Sequence, residues 1–205
     1  MVQSKLGMHR TAPIGQALPD AQQPPDGLRY LPRFIGLDEA SELMEFIDRQ
    51  VWDTGLKRRV QHYGWRYDYR AKAVDPESFL GPLPDIFSKM SRRMSDEIGK
   101  ETNFDQVIVN EYVPGQGISA HVDCLPCFGP VVAAISLGST CEMLFQHLAT
   151  KAPFSLLLEP LSLLVLAGDA RTTWSHAIPA RRSDVSKGTR LARSRRVSLT
   201  FRTKI

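Results

Sequence analysis

A chain of 205 residues, 42% hydrophobic and 23% charged, is long enough to bury a substantial core as a single domain. No apolar run approaches the length that spans a bilayer, so membrane insertion is set aside. Three cysteines, an odd number, do not suggest a disulfide framework and favour a reducing, intracellular setting, with the cytoplasm as the expected location.

In chain order, the first 27 residues hold no continuous hydrophobic segment, and "TAPIGQALPDAQQPPDG" reads as a disordered lead-in and not a signal peptide. A single domain is expected over 28–205. Asp38 is placed to cap a helix running to about Val51, with Leu43, Phe46, Ile47 and Val51 on one face. "KRRVQHYGWRYDYR", Lys57 to Arg70, interleaves five cations with four aromatics, the mix that grips phosphates and stacks bases. An amphipathic hairpin over 57–72 whose aromatics pack on the body of the protein would read the same way, and the two readings stay open. Leu83, Ile86, Phe87, Met90, Met94 and Ile98 recur at helical spacing, and Gly99 offers a stop.

From Asp105 onward the pattern changes to short apolar or alternating runs broken by Gly and Pro: "DQVIVNEY", "GISAHVD", "VVAAISLG", "CEMLFQH", "FSLLLE", "SLLVLAG", "TTWSHAI" and "RRVSLTFR". Strands at this spacing predict a mainly β, α+β protein: a double-sheet jelly roll with two N-terminal helices packed on one sheet. The net charge of +4 is modest but unevenly placed, with nine Lys or Arg against one acid, Asp184, between Arg181 and Ile205. That run is either a solvated basic tail or part of a nucleic-acid footprint.

The stretch "AHVDCLPC" crowds four potential metal ligands together. Cys124 and Cys127 have the spacing of a zinc knuckle or redox pair, but a structural zinc needs four ligands, and no second pair follows. They are expected to be small buried or loop residues. Extended "SAHVD" instead puts His121 and Asp123 on one face, because successive side chains of a strand alternate. His62 sits in the aromatic stretch and His147 ends a strand, whereas His176 lies inside a late strand and is the best third ligand. Two histidines and a carboxylate on one side of a metal leave coordination positions open for a cosubstrate and oxygen. In "RRVSLTFR", period two sets Arg196, Ser198, Thr200 and Arg202 against Val197, Leu199 and Phe201. A sheet with one wet face would look the same. If the polar face instead looks into the barrel, its arginines need an anionic partner, and a small dicarboxylate fits. Asn110 and Tyr112 add polar groups on one face of an earlier strand.

Taken in order, "NEYVPGQGISAHVD", "ISLGS", "MLFQ", "GDARTTWSHAI" and "RRVSLTFR" resemble the AlkB family of iron(II) and 2-oxoglutarate-dependent dioxygenases, over roughly residues 28 to 203. The resemblance implies a double-stranded β-helix with iron(II) held by His121, Asp123 and His176. It further implies that Asn110 and Tyr112 hydrogen-bond 2-oxoglutarate, that Arg196 pairs with its distal carboxylate, and that Arg202 pairs with its metal-proximal end. Tyr63, Trp65 and Tyr67 become candidates for a substrate lid and Arg171 for the pocket wall. Two positions depart from the family pattern: Ser198, where Asn is frequent, and Leu125, where several base-reading members carry an acid. The implied activity is oxidative demethylation of N-alkylated bases in single-stranded or flipped-base DNA or RNA by a monomer, releasing formaldehyde, succinate and carbon dioxide. The alternatives are a dioxygenase acting on a protein side chain or small molecule, and a non-catalytic nucleic-acid binding module.

Overall fold

The structure, a computed structural model, describes residues 23–99 and 102–205. Most of the expected lead-in lies outside the described residues. Its described end does not hang free: the Pro25 carbonyl accepts the Leu28 amide, and Asp26 and Gly27 carbonyls accept the amides of Ala170 and Ala167. Gly27 adopts φ +80°, and a Cβ there would sit 2.1 Å from the Ala167 carbonyl oxygen, so only glycine lets the chain enter the domain at this point.

The elements are β1 (Leu28–Leu31), α1 (Leu37–Asp48), β2 (Val60–Tyr63), α2 (Asp85–Ile98), β3 (Gln106–Tyr112), β4 (Ile118–His121) and β5 (Phe128–Gly138). They continue with β6 (Cys141–His147), β7 (Pro153–Leu158), β8 (Leu163–Leu166), α3 (Gly168–Thr172), β9 (Trp174–Ile178), β10 (Ser183–Ser186), β11 (Thr189–Ala192) and β12 (Arg196–Lys204). A six-stranded sheet in the order β1-β8-β5-β12-β3-β2 faces a four-stranded sheet, β4-β9-β6-β7, and β10 and β11 form a separate hairpin. All the pairings are antiparallel. The eight expected strands are all present, and the fold is the expected jelly roll.

Alternation along the large sheet divides the protein into two cores. Val107 and Val109 of β3, Ala133 and Ile135 of β5, Leu163 and Val165 of β8, and Val197, Leu199 and Phe201 of β12 face one way, where Leu43 and Ile47 of α1 and Phe87, Met90 and Met94 of α2 cover them. The opposite faces meet the small sheet through Tyr112, Val132, Met143, Phe145, Leu164 and Ile178. Both helices therefore pack on one sheet and leave the inter-sheet space to the site.

α1 is shorter than its sequence pattern implies. It starts after Gly36, whose amide is accepted by the Glu39 carboxylate at 3.0 Å, with Asp38 in the first turn and not at the cap. It ends at Asp48, so Val51 is 92% exposed and off the packing face. α2 follows expectation, and Gly99 at φ +69° caps it in the left-handed conformation.

The 57–72 segment is not a free-standing hairpin. β2 is the edge strand of the large sheet, pairing with β3 at Val60↔Asn110, Gln61↔Val109, His62↔Ile108 and Tyr63↔Val107. Beyond it the chain turns irregularly, held by a bridge between Asp68 and Ala73 and by the Asp68 carboxylate accepting the amides of Arg70 and Ala71. The basic C-terminal run is likewise tied into the body. Arg181 and Arg193 converge on buried Asp184, Arg195 bridges Asp48 and Glu111, and Arg196 and Arg202 point inward.

Candidate metal and cosubstrate site

β4 and β9 pair so that His121 lies directly opposite His176, which explains how two histidines far apart in sequence come together. Their ring centroids are 4.4 Å apart. Asp123 follows just past the end of β4, buried, and one donor atom from each of the three residues lies within 4.8 Å of the others. Nδ1 of His121 is 2.8 Å from the Ser119 carbonyl oxygen. Only a protonated nitrogen bonds to a carbonyl, so the hydrogen sits on Nδ1 and the Nε2 lone pair is left for a metal.

Burial alone would raise the Asp123 carboxyl, but Arg202 and the two histidines outweigh it and hold the group below the ordinary carboxylate range. Arg202 donates to Asp123 Oδ1 from Nε at 2.9 Å and from Nη2 at 2.5 Å, and Nη1 reaches Gln106 Oε1 at 3.2 Å. Oδ2 remains turned toward His176 Nε2, 3.6 Å away. Burial pushes the His176 imidazole down to about 4, so it is neutral near neutral pH. A carboxylate and two imidazoles are a donor set suited to a divalent first-row metal.

These groups open into a cavity of about 560 Å³ between the sheets. Its floor is the polar face of β12: Arg196, Ser198, Thr200 and Arg202 all line it, beside Ile108, Asn110 and Tyr112 of β3. Arg196 is 3% exposed. Its Nη2 donates to Ser136 Oγ at 2.9 Å, while Nε and Nη1 are buried with no partner. A buried guanidinium with two donors unmet is costly unless an anion fills the space, which fits a carboxylate. Five Lys or Arg line the cavity (Lys57, Arg58, Lys72, Arg196 and Arg202) against Asp123 as the one Asp or Glu. Anions are therefore drawn to it.

The remaining candidates separate. Tyr67 lines the cavity, together with Tyr69, which the sequence reading left out although it continues the same alternation. Tyr63 and Trp65 do not line it. β2 alternation sends Tyr63 to the helix side, where it packs edge-on to Phe87 at 4.8 Å and donates to Gln61 Oε1. Trp65 lies 4.8 Å from Phe79, beneath the Lys204 ammonium. Arg171 is not a pocket-wall residue either. At 2% exposure it donates to the carbonyls of Asp123, Cys124 and Phe128, clamping the loop that carries the aspartate. Leu125 is 46% exposed and outside the cavity lining. Cys124 and Cys127 are in a loop as expected, but they are bonded to each other, with Cα atoms 5.2 Å apart. Sequence reasoning also missed Arg58, whose Nε donates to Asn110 Oδ1 at 2.8 Å, and Ser136, whose place opposite Ser198 appears only through strand register.

The sequence model of the 2OG-Fe(II) oxygenase superfamily matches residues 27–202. The chain is also 31% identical to "Probable RNA/DNA demethylase ALKBH6" of Danio rerio, covering 88% of this chain and 87% of that protein. It belongs to the AlkB family of 2OG-Fe(II) oxygenases. As a member it is a 2-oxoglutarate-dependent dioxygenase that uses iron(II), and the reading as a non-catalytic binding module falls away. Another AlkB relative, "Alkylated DNA repair protein ALKBH8 homolog" of Arabidopsis thaliana, is 36% identical over 86% of this chain. The chain spans only 58% of that relative's length, and 30% of mouse "tRNA (carboxymethyluridine(34)-5-O)-methyltransferase ALKBH8", to which it is 31% identical over 87% of itself. The AlkB fold is shared with the structure of OsALKBH1 at a TM-score of 0.70 and 18% identity, covering 88% of this chain and 98% of that one. No described helix is long and apolar enough to cross a membrane.

Proposed function

We propose that this dioxygenase oxidatively dealkylates N-alkylated bases in DNA or RNA, with residues 28–205 as one catalytic domain and the target base single-stranded or flipped. The observation that carries the reading is the cavity itself: a His-Asp-His cluster at the side of an arginine-floored pocket whose other lining includes Tyr67, Tyr69, Lys57, Arg58 and Lys72. An aromatic pair beside surplus positive charge suits a planar base on a phosphate backbone. The printed names of the ALKBH6 and ALKBH8 relatives, which speak of RNA/DNA demethylation and alkylated DNA repair, point the same way.

In this reading His121, Asp123 and His176 hold iron(II), which with 2-oxoglutarate supplies the oxidising chemistry. Arg202 keeps Asp123 ionised and fixes which of its oxygens faces the metal. Arg196 takes the distal carboxylate of 2-oxoglutarate on Nε and Nη1, with Asn110 and Tyr112 beside it. Tyr67 and Tyr69 hold the base and exclude water from the pocket. Hydroxylation of an N-methyl group leaves an adduct that releases formaldehyde and restores the base.

A panel assayed with iron(II), ascorbate and 2-oxoglutarate tests this directly. Formaldehyde should be released from methylated single-stranded DNA or methylated RNA, matched by succinate. Release from methylated peptides alone would move the enzyme to the protein-modifying alternative.

A further inference from the structure

We propose that the base taken by this cavity is uncharged and edged with carbonyls, a uracil or thymine alkylated at N3, and that Arg58 selects it. The inference rests on the N-dealkylation proposed for this site and names the class of base. Alkylation at a ring nitrogen has two electrical outcomes. At N3 of uracil or thymine the alkyl group replaces a hydrogen between two carbonyls, and the base stays neutral with acceptors on both sides. At N1 of adenine or N3 of cytosine it lands on a nitrogen that held only a lone pair, so near neutral pH the base becomes a cation with an amino group beside the alkyl.

The charge of the cavity wall selects between them. Lys57, Arg58, Lys72, Arg196 and Arg202 line it, with Asp123 as the one carboxylate. That carboxylate is already engaged: Oδ1 accepts two donors of Arg202, and Oδ2 faces His176 within the metal cluster. Iron(II) and 2-oxoglutarate carry equal and opposite charge, so loading the site leaves the positive surplus in place. A cationic base entering here would give up water for a positive wall with no free anion to pair with.

Donors as well as charge gather beside the aromatic pair. Arg58 donates Nε to Asn110 Oδ1 at 2.8 Å, which occupies that acceptor and leaves the terminal guanidinium nitrogens near the Tyr69 ring, whose centroid is 5.7 Å from the guanidinium carbon. The Tyr69 hydroxyl is buried without a hydrogen-bond partner, and burial pushes the phenol up, so it keeps a proton to donate. A base held against Tyr67 and Tyr69 therefore meets donors at its edge. Carbonyl oxygens satisfy them, whereas an amino group sets donor against donor and leaves both unpaired.

The test compares bases that differ in little else, placed in otherwise identical single-stranded oligonucleotides: 3-methyluracil against 3-methylcytosine in RNA, and 3-methylthymine against 3-methylcytosine in DNA. Both members of a pair carry the same phosphates, so contacts of Lys57 and Lys72 to the backbone cancel. At pH 7 the neutral base should release formaldehyde with a kcat/KM roughly tenfold higher or more, the scale on which an unpaired buried polar group discriminates. Metal-free protein should also bind the oligonucleotide with the neutral base more tightly, read by fluorescence anisotropy. Arg58→Met should shrink the preference severalfold, a ratio that general damage to the fold or to Asn110 does not move, since such damage lowers both substrates alike. Equal or faster turnover of 3-methylcytosine by the wild type would overturn the assignment of the base, and an unchanged ratio in Arg58→Met would overturn the role of Arg58. No formaldehyde from any of the oligonucleotides would instead overturn the N-dealkylation itself, and this inference with it. The wild-type comparison stands even if Arg58→Met does not fold.

Discussion

Two of the three guanidinium nitrogens of Arg196 are buried without a hydrogen-bond partner, whereas Arg202 on the same strand is matched by Asp123 and Gln106. The proposed role separates stability from binding. Arg196→Met removes a charge whose desolvation the cosubstrate-free protein leaves uncompensated, so its melting temperature should equal or exceed that of the wild type. Its affinity for 2-oxoglutarate should fall roughly 10- to 100-fold, the loss of charge-assisted hydrogen bonds worth about 1.5–3 kcal/mol. Calorimetry on the two proteins reads both quantities, and an unchanged cosubstrate Kd would remove Arg196 from that role. The arginines that alternation on one strand turns into the cavity, Arg196 and Arg202, were legible in the sequence. Arg171 was not, because its partners are backbone carbonyls of Asp123, Cys124 and Phe128, and a carbonyl leaves no mark in the sequence.

β12 shows how much an element's period carries. Its even-numbered residues 196, 198, 200 and 202 line the cavity, and Val197, Leu199 and Phe201 are fully buried against the helices. Leu199→Ala should therefore cost about 2–5 kcal/mol of stability in denaturant unfolding while leaving 2-oxoglutarate affinity unchanged, the reverse of Arg196→Met. The same alternation in β2 turns Tyr63 with Gln61 to the helix side, opposite Val107 and Val109 of β3, a placement that composition alone could not give. The eight expected strands, β3 to β9 and β12, and α2 were readable because each follows its own hydrophobic pattern between turn residues. β1 finds its partner β8 far along the chain, with Leu28 opposite Leu166. The β10–β11 hairpin was hidden inside a basic run. Its single acid, Asp184, is what organises it, gathering Arg181 and Arg193.

Across the whole molecule, electrostatics links the site to stability. Burial holds His176, and likewise His62, down to about 4, against an unfolded value of 6.5. The unfolded chain therefore takes up protons first as pH falls. Metal-free protein should be most stable above pH 6.5, lose stability progressively as pH falls toward about 4, and level off below it as far as these groups are concerned. A divalent metal competes with the proton on folded His176 only near and below about pH 4, so its addition should raise the melting temperature more at pH 5 than at about pH 3, measured by scanning calorimetry. The fold brings strands β4, β9, β3 and β12 to one cavity, where we propose that His121, Asp123, His176 and Arg196 form a single iron and 2-oxoglutarate centre. Iron-dependent conversion of 2-oxoglutarate to succinate by the wild type and by His121→Ala, Asp123→Ala, His176→Ala and Arg196→Met tests it most directly. The three ligand variants should fall to the metal-free background, and Arg196→Met should need a much higher 2-oxoglutarate concentration. Wild-type turnover in Asp123→Ala or His176→Ala would contradict the assignment.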